Sequence, residues 1–210
     1  AEWFQKAAVR GHADAQFELA GMYFRGEGVP QDGAKGIEWG QKAAAQGHSK
    51  AQYNLGMRYL NGEGVPKNVA KAVELLQKSA LQGEARAQNS IGVMYESGEG
   101  VPKDAAKAVE WYQKAAMQGH ADAQRALGLM YFMGEGVSED SVMAYAWANL
   151  AAAQGDRRAK ELRGLIRLSS AQRAEAERLS SNWKPGQVLQ REGESAAGAG
   201  GAGSGGGTLT

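Results

Sequence analysis

Apolar positions along this chain follow a helical rhythm that restarts at a fixed interval. In residues 51–60, Ala51, Leu55 and Tyr59 stand four apart and so line one helical face. The same triplet returns as Ala15/Leu19/Tyr23, Ala87/Ile91/Tyr95 and Ala123/Leu127/Tyr131. Each such stretch runs into the loop GEGVP, or GEGVS in the last copy, where glycine suits a helix end and the residue before proline is pushed away from helical geometry. A second helix of about a dozen residues is predicted after each loop. It carries Ile37/Val73/Val109/Tyr145 and Trp39/Leu75/Trp111/Trp147 at matching places, with Asp32, Asn68, Asp104 and Asp140 set to cap its N-terminus.

The interval is 36 residues. Gly11, Gly47, Gly83, Gly119 and Gly155 keep it, as do the Ala-Gln pairs beginning at Ala15, Ala51, Ala87 and Ala123. A period of this size marks a stack of helical hairpins. The expected organisation is the second helix of an interrupted unit (1–12), four repeats (13–48, 49–84, 85–120 and 121–156), a helical cap (157–186) and a flexible Gly-rich tail (187–210). Because the chain opens at Ala1 inside a unit, it is expected to be a fragment or a processed product. Ala20, Gly56, Gly92 and Gly128 follow the inner-helix leucine or isoleucine, and a small residue kept in phase there predicts close approach of a neighbouring helix.

Past residue 156 the period lapses. One helix is expected to end near Leu168, Ser169-Ser170 to form a cap, and a last helix to end near Trp183, covering the open face of the stack. Residues 156–192 hold nine Lys/Arg against five Asp/Glu, but no aromatic interleaving for base stacking, so a solvated helix surface is the reading. Residues 193–207 contain eight glycines and little to bury, which is the composition of a linker; Thr208-Leu209-Thr210 are a short recognition end or the stub of a following domain.

Composition narrows the function more than the fold. Among 210 residues, 24 basic and 23 acidic side chains leave a formal charge of +1, so no global field recruits nucleic acid or an anionic membrane. With no cysteine, disulfides, thiolate metal sites and a cysteine nucleophile are excluded. No apolar run approaches the ~20 residues of a membrane helix.

The pattern A-Q-x-x-L-G-x-x-Y, then G-E-G-V-P-x-D, then A-x-x-W-x-x-K-A-A-x-Q-G closely resembles the Sel1-like repeat (SLR) family, a relative of the tetratricopeptide repeat. The resemblance covers residues 11–155 and half a unit before them. It implies an all-α, right-handed α-solenoid of 36-residue helix-turn-helix repeats, with an adaptor or scaffold role. Family members with paired cysteines in each repeat are linked to β-lactam binding, a branch that a cysteine-free chain does not share.

Candidate chemistry is weak throughout. His12, His48 and His120 occupy one place in successive units, so they lie about one helix spacing (~10 Å) apart, too far to share a metal whose bonds are ~2 Å. They are expected to be polar residues near a helix start. Glu27, Glu63, Glu99 and Glu135 have identical flanks, hence equal environments and no division into acid and base. Trp3, Trp39, Trp111 and Trp147 share one repeat position and are expected to pack between repeats rather than form a sugar-stacking ladder. No catalytic residue, metal or cofactor is assigned.

Function is therefore expected in the concave face lined by the inner helices. The resemblance to tetratricopeptide repeats places Phe17, Gly21, Phe24 and Arg25 there in the first full unit, and Tyr53, Met57, Leu60 and Asn61 in the second. The third supplies Asn89, Val93, Glu96 and Ser97, the fourth Arg125, Leu129, Phe132 and Met133, with Asp14, Lys50, Arg86 and Asp122 as a rim. These positions vary between units while packing positions do not. Apolar anchors beside Arg25, Lys50, Arg86 and Arg125 favour a protein or peptide segment with an acidic group, held by a non-enzymatic scaffold and not by a nucleic-acid binder. The alternatives are a carbohydrate or cell-wall binding module and, after it, a β-lactam-interacting hydrolase. A monomer is expected, in a bacterial periplasm or outside the cell rather than in the cytoplasm. Phe24, Leu60 and Phe132 have a second reading, simple packing against the next inner helix.

Overall fold

The computed structural model describes residues 2–191. Among them are eleven helices and no strand: α1 (Glu2–Val9), α2 (Ala13–Arg25), α3 (Gly33–Ala45), α4 (Ser49–Asn61), α5 (Val69–Leu81), α6 (Ala85–Ser97), α7 (Ala105–Met117), α8 (Ala121–Met133), α9 (Ser141–Ala153), α10 (Arg157–Leu165) and α11 (Ser170–Asn182). Helices α2, α4, α6 and α8 are the inner series, and each packs on the outer helix that follows it and on the one before. The architecture is an all-α solenoid. Its buried apolar residues fall into successive clusters rather than one centre, as expected when each layer touches only its neighbours.

Local chemistry explains the hairpin. Each inner helix ends on a left-handed glycine, Gly26, Gly62, Gly98 or Gly134, whose N–H returns to the helix. The next helix starts on Asp32, Asn68, Asp104 or Asp140, each of whose side chains accepts a backbone N–H of the first turn. The backbone N–H of those same residues donates to the carbonyl of Tyr23, Tyr59, Tyr95 or Tyr131, closing the loop on the inner helix. The second loop glycine is required twice over at Gly136: its φ is +70°, and a Cβ would lie 2.3 Å from the Ala105 backbone of the preceding layer.

A buried glutamine binds three helices in every layer. The side-chain amide of Gln16, Gln52, Gln88 and Gln124 donates to the carbonyl of Ala8, Ala44, Ala80 and Ala116 respectively. Each Oε1 accepts from Gln46, Gln82, Gln118 or Gln154 of the outer helix that follows, at 2.6 to 2.8 Å. This accounts for the Ala-Gln pair keeping phase.

At the C-terminal end the expectations need two changes. Helix α10 ends at Leu165, not near Leu168, because Ile166 turns extended and buries its side chain (2 % exposed) under the cap. Ser169 then opens α11 with a reciprocal capping box to Gln172, and α11 packs on α9. The tail was expected from residue 187, yet Leu189 is 5 % exposed in the terminal core. Arg191 joins Asp140 at 3.2 Å to Glu175 at 2.8 Å. Residues 187–191 thus belong to the cap. The Gly-rich stretch 193–207 and Thr208-Leu209-Thr210 lie outside the described residues.

The tryptophans also divide. Trp147 is buried, 2 % exposed, with Trp183 edge-on at 6.3 Å. Trp39 and Trp111 are half-buried and flank the cores of their layers. Trp3 is 87 % exposed, not packed, since no described helix stands beyond α1.

Candidate functional site

On an inner helix, neighbouring positions have opposite fates. Gln16, Gln52, Gln88 and Gln124 are buried and identical, whereas the next residue along, Phe17, Tyr53, Asn89 and Arg125, differs in every layer and is only half-buried. None of the sixteen residues singled out for ligand contact is fully buried. Val93 and Met133 are the most exposed apolar ones, at 47 % and 51 %.

The lining is stitched from layer to layer. Phe17 stacks on the His48 ring with centroids 4.5 Å apart, and the Arg86 guanidinium lies 4.6 Å over the Tyr53 ring. Phe24 is covered by Arg58 at 3.7 Å and abuts Gly36 of α3. Tyr53, Met57 and Leu60 pack on the cluster of α5 and α6, while Leu129 and Phe132 pack on the C-terminal cluster. Leu60 and Phe132 therefore pack on neighbouring cores, and Phe24 packs against α3 while lining a cleft between α2, α3 and α4. Asn61 donates to Glu63 at 2.8 Å.

Charges at this face are arranged differently from the sequence expectation. Three of the four cations assigned to an acidic ligand already have partners: Arg25 pairs with Glu27 at 2.8 Å, Arg86 with Glu84 at 2.9 Å, and Arg125 with Asp156 at 3.0 Å and Asp122 at 3.2 Å. The first two partners sit two residues away along the chain, so the long side chain folds back on its own neighbour. Lys50 has no carboxylate within ion-pair reach among the described residues. Neither has Arg58, which sequence reasoning left out.

In the third layer Glu96 accepts the Tyr112 hydroxyl at 2.5 Å. Burial, then that hydrogen bond, pushes Tyr112 well above the usual phenol range. These two residues and Arg125 line a polar cleft of about 190 Å³ between α6, α7 and α8. The corresponding cleft between α2, α3 and α4 holds about 260 Å³ and has Phe17, Phe24, Leu55 and Ile37 on its walls. Gly36 and Gly40 break the pattern of the outer helices and are the sequence signal that could have revealed it.

The histidines are helix-start residues: His48 and His120 accept the N–H of Ala51 and Ala123 on Nδ1, while His12 occupies the same cap position without that bond. Among the described residues no group of three His, Asp or Glu converges as metal ligands. Lys42 and Lys114 lie over the Trp39 and Trp111 rings at 4.2 and 4.1 Å, occupying faces that a sugar would need. No helix is long and apolar enough to cross a membrane among the described residues.

The Sel1 repeat profile matches residues 1–12, 13–48, 49–84, 85–120 and 121–156. A protective antigen of uropathogenic Escherichia coli displaying an SLR fold is 39 % identical, with a TM-score of 0.73 over 86 % of this chain and 40 % of that one. A Sel1 repeat protein from Oxalobacter formigenes is 41 % identical, with a TM-score of 0.71 over 76 % of this chain and 46 % of the other. The chain thus spans less than half the length of either. Cysteine-rich protein B of Helicobacter pylori shares the fold at 21 % identity and a TM-score of 0.51. No curated protein matches the sequence.

Proposed function

We propose that this chain, which belongs to the Sel1 repeat family, holds a segment of a partner protein along the face of its inner helices and performs no chemistry itself. Proteins of this family are typically protein–protein interaction scaffolds. The observation that carries the reading is the contrast between identical buried glutamines and varied, accessible neighbours one residue along. A framework that repeats while its lining changes offers a different contact in each layer, which is how an extended segment is read in register. Phe17, Tyr53 and Met57 supply half-buried apolar surface; Lys50 and Arg58 supply positive charge that no carboxylate neutralises among the described residues. The occupied Trp39 and Trp111 faces weigh against sugar stacking.

A peptide library displayed on phage tests this. Selection on the chain should enrich apolar segments with acidic neighbours, and Tyr53→Ala combined with Val93→Ser and Met133→Ser should abolish capture with an unchanged helical spectrum. Capture that survives the triple change would put the binding surface elsewhere. The likeness to a protective antigen supports a location outside the cytoplasm; protease accessibility on intact bacteria tests it.

A further inference from the structure

We propose that the cleft between α2, α3 and α4 receives one large apolar side chain, of the leucine or phenylalanine class, from a partner polypeptide that carries an acidic residue beside it. The inference rests on the scaffold reading and says where the partner is anchored.

The stack contains its own model of the occupant. One outer-helix position is Gly40 in the first repeat, Leu76 in the second, Tyr112 in the third and Ala148 in the fourth. Leu76 and Tyr112 are buried against Gly56 and Gly92, where an added Cβ would meet them at 2.9 and 2.7 Å. In the fourth repeat the helices themselves close up, since a Cβ on Gly128 would lie 3.1 Å from the Ala144 carbonyl. The first repeat pairs two small residues less closely: a Cβ on Gly40 would stand 3.9 Å from the Ala20 Cβ, against 3.5 Å between a Cβ on Gly128 and the Ala148 Cβ, and Ala20 and Gly40 both line the cleft. The place filled elsewhere by Leu76 and Tyr112 is left open.

Helix α3 carries Gly33, Gly36 and Gly40, whereas α5, α7 and α9 contain no glycine. Glycine weakens a helix interior, so this one departs from its copies at a cost to itself. At Gly36 the missing side chain admits the Phe24 ring, which a Cβ would strike at 2.6 Å, and that ring forms the end wall. The volume, about 260 Å³, falls below the roughly 300–1,000 Å³ of sites that enclose a small-molecule ligand or cofactor, and suits one side chain. At the mouth Arg25 is neutralised by Glu27, but Arg58 over Phe24 faces no carboxylate within ion-pair reach among the described residues. Its charge selects the acidic neighbour, against which Glu18 on the same wall works only from an exposed position.

The test uses side-chain probes on the isotopically labelled chain. N-acetyl-phenylalaninamide and N-acetyl-leucinamide should give saturable NMR shifts at the Gly36 and Gly40 amides and the Ile37 and Leu55 methyls; N-acetylglycinamide should give none. Gly40→Leu, which installs the second repeat's residue where there is room, should weaken the response at least tenfold while raising Tm. Should Gly40→Leu fail to fold, Gly40→Ala must still weaken it. Absence of saturation in the parent chain, or an undiminished response in these variants, overturns the pocket. An N-acetyl-Asp-Phe-amide probe should bind several-fold tighter than its Lys-Phe counterpart, and Arg58→Gln should erase the difference; equal binding in the parent overturns the acidic neighbour. These probes need no partner, so their failure leaves the scaffold reading to the phage selection.

Discussion

The ring of Tyr112 lies on the backbone of Gly92: a Cβ placed on that glycine would stand 2.7 Å from two ring carbons. Tyr112 is 1 % exposed and its hydroxyl is tied to Glu96, so a shift of the ring would disturb that hydrogen bond. Gly92→Ala is expected to destabilise by about 1–3 kcal/mol, overpacking outweighing the ~1 kcal/mol gained in helix propensity. Urea denaturation checks this. Because Tyr112→Ala removes the ring that the new Cβ would strike, the double variant should be less destabilised than the sum of the two single changes.

Loss of one rung of the glutamine ladder should be felt by three helices. Gln88→Leu removes two hydrogen bonds, the one it donates to the Ala80 carbonyl and the one it accepts from the Gln118 amide, leaving these groups with Gly83 as partner at 3.0 and 2.9 Å. The expected loss is about 1–3 kcal/mol. Hydrogen exchange should show faster amides in α5, α6 and α7, and unaltered exchange in α10 and α11.

The capping box of α11 can be opened by Ser169→Ala, which removes the acceptor for the Gln172 N–H. A loss of about 0.5–2 kcal/mol is expected. It should appear as early melting at the Trp183 end, followed by Trp fluorescence.

His120 couples stability to pH. Its ring is held below the usual imidazole range, first by desolvation and then by the balance of Asp122, Arg86 and Glu84 around it. Its Nδ1 accepts the Ala123 N–H, a role that protonation ends. The contribution is therefore complete above the unfolded value near 6.5 and is lost as pH falls through the lower folded value. His120→Asn, which can still cap, should flatten the Tm-versus-pH curve below about pH 6.5. An equal slope in parent and variant would assign that pH dependence to other groups.

What the sequence determined by itself is everything encoded within a few residues. Spacings of four place Ala51, Leu55 and Tyr59 on one face; Gly26 and Asp32 end one helix and begin the next; Ser169 starts the last. The first three are local geometry repeated every 36 residues, and repetition made them legible; Ser169 was legible from its own cap chemistry. The tertiary structure alone decided which lining groups are free. Arg25 and Arg86 are paired with Glu27 and Glu84, and Arg125 with Asp156, while Arg58 meets the Glu63 carbonyl and the Phe24 ring but no carboxylate among the described residues. It also decided that Leu189 and Arg191 dock on the cap and that Gly40 leaves a space rather than drawing its neighbour in. Those outcomes depend on distances between helices, which a pattern of residue types along one chain does not contain.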